Sequence, residues 1–390
     1  MKNFPCAIGF AGAVFCSAAA AQARVQVVHS GGSIRAALAG ARAGDTIVVH
    51  PGVYREGAAD DLNALTITLD GIRLVGRPGP GRPVVLENAG KQGYGIWVSP
   101  AGSAFPNDTQ SDAEKPPCGY DGSRLHDFTV EGFTLRNFRV HGLHLACVDG
   151  FRIANNVAED NHVYGLFPVL SRRGIMTSNV VRGSDKDAGI YVGQSDRVLI
   201  AGNRAENNLL GLEVENSRDC AVMGNELKGN TLGIIVDLNF DKVLLTAERT
   251  LVAFNSVHDN NRTNTAEPGD IIAVLPAGIG ILVSSADATT VTLNDVQSNN
   301  FAGIAVVSIC LGLALQGQPP ELCGALGIEP NPDDNRIMLN RVVGNGTVPT
   351  GFPPLDALLG DLIWDGSGTG NCWSHNQFGT SVPSPLPSCR

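Results

Sequence analysis

The chain has 390 residues, 47 of them glycine, and only 6% are aromatic, a balance that favours many tight turns and short strands over bulky helices. With 28 Lys and Arg against 38 Asp and Glu, the formal net charge is −10. An acidic surface repels polyanions, which excludes naked nucleic acid and anionic membrane as partners.

Residues 1–23 read as a cleavable signal peptide. Lys2 supplies a minimal positive start, "FPCAIGFAGAVFCSAAA" is the apolar stretch, and "AQA" ending at Ala23 is a small-x-small cleavage site. The expected destination is the bacterial periplasm or beyond, and no membrane span is expected in the mature chain. In "GGSIRAALAGARAGDTIVVHPGVYRE", Ile34, Leu38 and Ala41 share one face of a short helix over 33–42. A turn at Gly44 and Asp45 leads into an apolar strand at 47–49. A solenoid needs a cap over its first open coil, and this helix supplies one.

A glycine followed by an aliphatic pair then recurs: "YGIWV", "HGLHL", "YGLFPV", "AGIYV", "LGLEV", "LGIIV", "AGIGILV" and "AGIAVV", at Gly95, Gly142, Gly165, Gly189, Gly211, Gly233, Gly278 and Gly303. The period is 22–25 residues and doubles twice. Asn156, Asn179, Asn203, Asn225, Asn255, Asn294 and Asn340 keep the same beat. A leucine-rich repeat has a similar length but needs a Leu-rich consensus and a helical arm. Short β-type runs between Gly, Asn and Asp fit a parallel β-helix instead. The expected fold is therefore all-β, one parallel β-helix over 24–373, with Ile190, Val192, Leu212 and Val214 pointing inward and the asparagines laddered from coil to coil.

Insertions near 238–276 and 308–334 break the period. "DALLGDLIW" is expected as a short helix closing the late coils, and 374–390 as a Pro-rich strap. The post-leader cysteines suit disulfides in an oxidising compartment. Cys310 with Cys323 and Cys372 with Cys389 bracket Pro-containing loops, and Cys118 with Cys147 is a further pairing. Cys220 falls on an inward beat and is left as the free thiol. No CxxCH, CxxC or HExxH occurs, so haem attachment, thioredoxin-like chemistry and the common zinc sites find no support.

The helix-turn-strand opening resembles the start of many secreted members of the right-handed parallel β-helix, pectin-lyase-like superfamily. "YGLFPVLSRRGIMTSNVVRGSDKDAGIYVGQSDRVLIAGNRAENNLLGLEVENS" is similar to the core of a subfamily of secreted bacterial β-helix repeat proteins. The likeness covers about residues 25–100 and 125–305. It implies chemistry on the outward face of a parallel strand and its flanking turns. Some members of the subfamily accompany secreted c-type cytochromes, which implies a protein partner of that kind. The superfamily hosts lyases, hydrolases, epimerases, esterases and binders, so fold alone does not select the activity. The Asp-Pro-His-Glu motif of alginate epimerases, the polygalacturonase set and the Arg-x-Pro-x-x-Arg of pectate lyases are all absent.

On an alternating strand, the residue two after each glycine faces outward: Trp97, His144, Phe167, Tyr191, Glu213, Ile235. The residue four after gives Glu215 and Asp237 on adjacent coils. Stacked carboxylates need a shared proton, a cation or good solvation. These alternatives predict an acid/base pair, a Ca²⁺ site of hard oxygen ligands, or an ordinary wet face. Uronate lyase or epimerase chemistry needs a base, an acid and a neutraliser of the substrate carboxylate.

The reading adopted is an exported protein acting on a polysaccharide, with lyase or epimerase chemistry ahead of hydrolysis. A non-catalytic glycan- or protein-binding scaffold is the alternative. The candidate catalytic residues are Tyr191, Lys186, Glu213, Asp187 and His144. Those for substrate are Trp97, Phe167, Arg172, Arg173 and His162. Glu215, Asp237 and Asp185 are the candidate calcium ligands, and no other cofactor is expected.

Overall fold

A computed structural model describes residues 23–101, 118 and 122–389; the expected signal peptide lies outside them apart from Ala23. Among these residues the chain winds through three parallel sheets of twelve, eleven and eleven strands, each strand pairing with its counterpart one coil on. The glycine-aliphatic strands form one sheet, from Asn63–Ile67 to Ser381–Val382, called here the glycine sheet. Its inward column runs Ile190, Leu212, Ile234, Ile281, Ile304 and Leu362, each paired with the next and each fully buried. Coil spacing of about 4.8 Å brings like side chains into contact, so aliphatic residues on every inward beat produce one continuous core.

Neither doubling of the period is a missing coil. Tyr94–Val98 pairs directly with His141–Ala146, and Leu232–Asp237 pairs directly with Ile279–Ser284, so no strand of the glycine sheet is skipped at either doubling. The second pairing also corrects the repeat register. Leu232 opposes Ile279, which puts Gly280, not Gly278, on the glycine column. The column is glycine because asparagine amides press on it. A Cβ on Gly211 would lie 2.6 Å from the Gly233 carbonyl and 2.8 Å from Asn230 Nδ2.

Those asparagines belong to a second ladder, which the repeat pattern alone did not lead us to expect. The expected ladder is present: Asn225 Nδ2 donates to Ile200 O and to Asn255 Oδ1 (3.0 Å each). Its Oδ1 accepts from the Asn203 backbone (2.9 Å) and Asn203 Nδ2 (3.0 Å). Five residues after its rungs stand Asn208, Asn230, Asn260, Asn299 and Asn345, bonded in the same way. That constant offset is visible in the sequence.

The capping helix is shorter than expected, Ile34–Ala39, with Ser33 Oγ accepting from Ala36 N (3.1 Å) as the N-cap and Gly40 ending it. Ile34 plugs the core end. "DALLGDLIW" is not the expected helix. Only Pro353–Asp356 is helical, while Gly360–Trp364 is a strand paired with Ala302–Val307. Alternation explains this: Leu362 faces the core and Ile363 the outer face, a period-2 pattern that a free sheet edge captures. The three disulfides form as expected, Cys118–Cys147, Cys310–Cys323 and Cys372–Cys389, and Cys220 is free and buried. No helix among the described residues is long and apolar enough to cross a membrane.

Asn225→Ala removes the four side-chain hydrogen bonds. Asn255 Oδ1 keeps the Asn225 backbone donor and Asn203 Nδ2 keeps the Met176 carbonyl, so the main cost is the buried Asn203 N–H left unpaired, about 1–3 kcal/mol. Urea unfolding should show a loss of about 3 kcal/mol, with the slope m unchanged. Burial pushes the Cys220 thiol up to about 12. At pH 8 a native chain lacking residues 1–23, and so Cys6 and Cys16, should therefore take up no iodoacetamide, and the same chain unfolded in urea one equivalent when its disulfides are intact.

Candidate functional site

On the outward side of the glycine sheet, one residue per coil forms a column: Trp97, His144, Phe167, Tyr191, Glu213, Ile235, Leu282, Ala305, Ile363. A parallel column carries Val169, Gly193, Glu215, Asp237, Ser284. The first therefore passes from aromatic through acidic to aliphatic. The register predicted from the sequence holds, with Tyr191 opposite Glu213 and Glu215 opposite Asp237.

Of the three alternatives for these carboxylates, the wet face is not what forms. Glu213, Glu215 and Asp237 are only 5%, 4% and 9% exposed, because the inserted loops fold over the sheet. Gln194 Oε1 accepts from the backbone of Val243 (2.9 Å) and Leu244 (3.1 Å), and Asn216 Nδ2 donates to Asn239 O (2.8 Å) and Leu244 O (2.6 Å). Those bonds pin segment 239–245 over the carboxylates. Asn264 Nδ2 bonds the carbonyls of Ile272 and Leu275 (2.9 Å each) and shapes the neighbouring cover, whose Ile272 and Leu275 pack on the outer apolar cluster.

Under this cover, one oxygen from each of Glu213, Glu215 and Asp237 lies within 4.8 Å of the others. The Tyr191 hydroxyl donates to Glu215 Oε2, and the Tyr164 hydroxyl donates to Asp187 Oδ2 at 2.5 Å. Lys242 Nζ stands 3.4 Å from Glu215 Oε1 and 3.1 Å from Asp241, and Asn239 Nδ2 donates to Glu215 Oε1 at 3.2 Å. Glu213 Oε2 and Asp237 Oδ1 are buried with no hydrogen-bond partner among the described residues.

The electrostatics follow from burial and crowding. Burial, then Asp187 and Asp237, hold the Glu213 carboxyl well above the usual carboxylate range. Burial, then Glu215, do the same to Asp237, against the pull of Lys242. Burial pushes Asp187 up to about 7, opposed by the Tyr164 hydrogen bond. Burial keeps both phenols far above their ordinary value, so they remain donors. For Lys242 burial works against the ammonium, but Glu215 and Asp241 outweigh it and its pKa rises.

Of the candidate residues, the fold brings together Tyr191, Asp187, Glu213, Glu215 and Asp237. The others lie elsewhere. His144 is fully buried in the aromatic half, its ring stacked on Trp97 (3.9 Å between centroids, 4° apart) and 3.2 Å from His141. Phe167 stacks on Tyr191 (4.4 Å, 8°), so these ring faces meet one another. Arg172 and Arg173 bind Asp149 at 2.7 and 2.6 Å, at the corner toward the twelve-stranded sheet. In the turn before the Tyr191 strand, Asp185 pairs with His162 (2.9 Å) and Lys186 with Glu267 (2.6 Å), tying that turn to the cover. Asp185 is thus outside the carboxylate set. The cation missed from sequence is Lys242; its one signal was a position five residues past Asp237, where the period breaks.

Three carboxylates suit a hard divalent cation such as Ca²⁺, and the two unpartnered oxygens fit that use. They offer no thiolate, thioether or imidazole, the donors that favour copper.

The sheet topology and the stacked columns decide the architecture. The fold is a right-handed parallel β-helix. Residues 91–273 of this β-helix match the family described as periplasmic copper-binding protein (NosD). Among solved structures, the A-modules of the mannuronan C-5 epimerases AlgE4 and AlgE6 of Azotobacter vinelandii are similar in fold. They are 16% and 17% identical, cover 88% and 91% of this chain and 90% and 92% of their own, and superpose with a TM-score of 0.59 each. No curated protein matches the sequence. The NosD match spans the carboxylate cluster, yet the cluster's donors do not fit the copper of that description.

A carboxyl held near 7 in the folded β-helix and near 3.8 when unfolded binds more protons folded than unfolded between those values. Its contribution to stability therefore falls as pH rises across that window. Asp187→Asn removes the effect. Calorimetry should show the variant's Tm gaining on wild type from pH 4 to pH 8, while a constant difference would contradict the assignment.

Proposed function

We propose that the protein is an exported, carbohydrate-active β-helix that performs proton-transfer chemistry on a uronate-containing polysaccharide at the Asp187–Tyr191–Glu213 cluster. The observation that carries this reading is a pair of buried carboxyls, Glu213 and Asp237, that burial pushes toward the neutral acid, beside two phenolic donors. A neutral carboxylic acid donates a hydrogen bond to the negative charge that develops on a uronate carboxylate when its α-proton leaves, as in other sites that stabilise enolates. Neutral Glu213 and Asp237 also answer the repulsion a polyanion would meet from ionised carboxylates.

In this scheme Asp187, ionised above about pH 7, takes the α-proton, and the electron pair moves into the substrate carboxylate. Glu213 and Asp237 hold the resulting dianion by their acid protons. Tyr191 delivers a proton to the opposite face in an epimerase, or to the departing glycosidic oxygen in a lyase, with Glu215 behind it. Access requires segment 239–245 to swing away, as catalytic lids do. The mannuronan C-5 epimerase activity of the two similar A-modules supports the substrate class. The family described as periplasmic supports the destination. A hard cation at Glu213, Glu215 and Asp237 would add charge neutralisation, and comparing Ca²⁺ with chelator tests it directly.

The burial of the cluster favours a second reading, a non-catalytic scaffold that binds a glycan or a secreted protein such as a c-type cytochrome. The two separate in one experiment. Purified protein is incubated in D₂O with alginate, pectate and glycosaminoglycans, with Ca²⁺ or with chelator, and followed by NMR and by absorbance of unsaturated uronate. Deuterium at C5 is expected of an epimerase and unsaturated-uronate absorbance of a lyase, and Tyr191→Phe and Glu213→Gln should each slow that signal by about 10²-fold. Binding with neither signal on any substrate would establish the scaffold reading instead.

A further inference from the structure

Segment 239–245 is held over the carboxylates by polar contacts. Gln194 and Asn216 bond its backbone, and Glu215 takes Asn239 Nδ2 and Lys242 Nζ. Its large apolar side chains stay outside. Phe240, Val243, Leu244 and Leu245 are 36%, 40%, 45% and 44% exposed, and none belongs to either hydrophobic cluster. A single exposed apolar side chain is ordinary, but a run of them in one short segment is a patch that calls for a partner surface.

Both ends of the segment are fixed on one coil. Leu238 and Ala247 are buried in the core, Leu238 N donates to Ser284 O of the coil after (3.0 Å), and Glu248 bridges Arg218 and Asp287 of the coils on either side. From that coil the segment leans back over the two before it, those of Asn216 and Gln194. The coils after it carry a cavity of about 780 Å³, its mouth included. Its floor is Ile235 of the segment's own coil, then Leu282, Ala305 and Ile363 in register. Its depth has a simple cause: the short side chain of Ala305 interrupts a column of long ones. The helix Ile309–Leu315 presents Gly312 to the same space. Asn239, the first residue of the segment, borders the cavity, so a rotation just beyond it carries Phe240 from one side of the hinge to the other.

We infer that segment 239–245 is a lid with two seats. In the first it covers the carboxylates; in the second it folds forward about Asn239 and inserts Phe240 into the cavity. Leaving the first seat exchanges hydrogen bonds for bonds to water, at small net cost. Reaching the second buries an aromatic side chain in an apolar space, which offsets that cost. Hinged segments switch between two such packings of similar free energy. The tether also favours Phe240 over any free apolar molecule, because it holds the ring beside the cavity at high effective concentration. The second seat gives a destination to the swing that the proposed reaction requires. Its test uses no substrate, so either reading can fail alone.

The test is hydrogen exchange of the full protein at pH 7, followed by mass spectrometry. The Val243 and Leu244 amides are bonded to Gln194 in the first seat, so their exchange reports release of the lid. Phe240→Ala should slow that exchange about tenfold, because the side chain it removes favours the released form. A Phe240 that only steadied the closed lid would give the opposite sign. Gly312→Leu should slow exchange to a similar degree by filling the cavity. A Cβ there meets only Ile271, at 3.7 Å or more, so the variant has room to fold. Phe240→Leu, which keeps an apolar body for the cavity, should exchange within about threefold of wild type. Unchanged or faster exchange in Phe240→Ala or in Gly312→Leu, the result expected if a free apolar molecule is the cavity's occupant, would overturn the inference. So would a Phe240→Leu rate as slow as that of Phe240→Ala.

Discussion

Amide ladders between coils are the constraint on which the rest of this structure depends. Each rung, such as Asn225, donates to a carbonyl of the coil before it and to the next rung, and accepts from the rung behind. The amide is satisfied only when consecutive coils sit in one register, because a one-residue slip would bury unpaired donors and acceptors. Two such ladders run five residues apart, and the second leaves room only for glycine beside it. Backbone pairing then carries that register into the glycine sheet. Every strand must present its outward residues in line with those of its neighbours.

That alignment makes columns, and a column concentrates chemistry. Side chains that would be dispersed in a twisted globular domain are stacked at strand spacing, so Tyr191, Glu213 and Ile235 become immediate neighbours although 22 residues separate each pair. Carboxylates in such a stack repel in water and far more strongly when covered. Here they are covered, and the response is visible: carboxyls shifted toward their neutral forms, two phenols turned into hydrogen-bond donors, and one lysine drawn in from a loop. The proton-transfer reading derives from the polar centre of this single crowded stretch.

The fold is legible because it repeats. A glycine every 22–25 residues, an asparagine on the same beat and inward aliphatics at Ile190 and Leu212 are local signals that each coil restates, so one ambiguous coil is corrected by the next. Sequence and structure part where the repetition thins. In "AGIGILV" two glycines compete, and only pairing with Leu232 selects Gly280. In "DALLGDLIW" the composition is helical, but the open edge at Ala302–Val307 takes Gly360–Trp364 as a strand. The second asparagine ladder stands in the sequence at a fixed offset from the first, yet its function as a ladder emerges only when the coils are stacked.

The candidate site divides along the same line. Which residues share a column follows from period and alternation, so Tyr191, Glu213, Glu215 and Asp237 could be grouped from the sequence alone. Whether that column is wet, and which cation answers it, depends on loops that have no period. Lys242, Gln194 and Asn216 meet over the carboxylates through contacts that no local pattern encodes, while Lys186, Asp185 and the two arginines are taken by other partners. Sequence thus determined the coil, its register and the line of outward side chains, because these are repeated short-range constraints. Tertiary structure alone decided burial, and with it the upward shift of the Glu213 and Asp237 carboxyls, because exclusion of water depends on how distant, non-repeating segments close over a face.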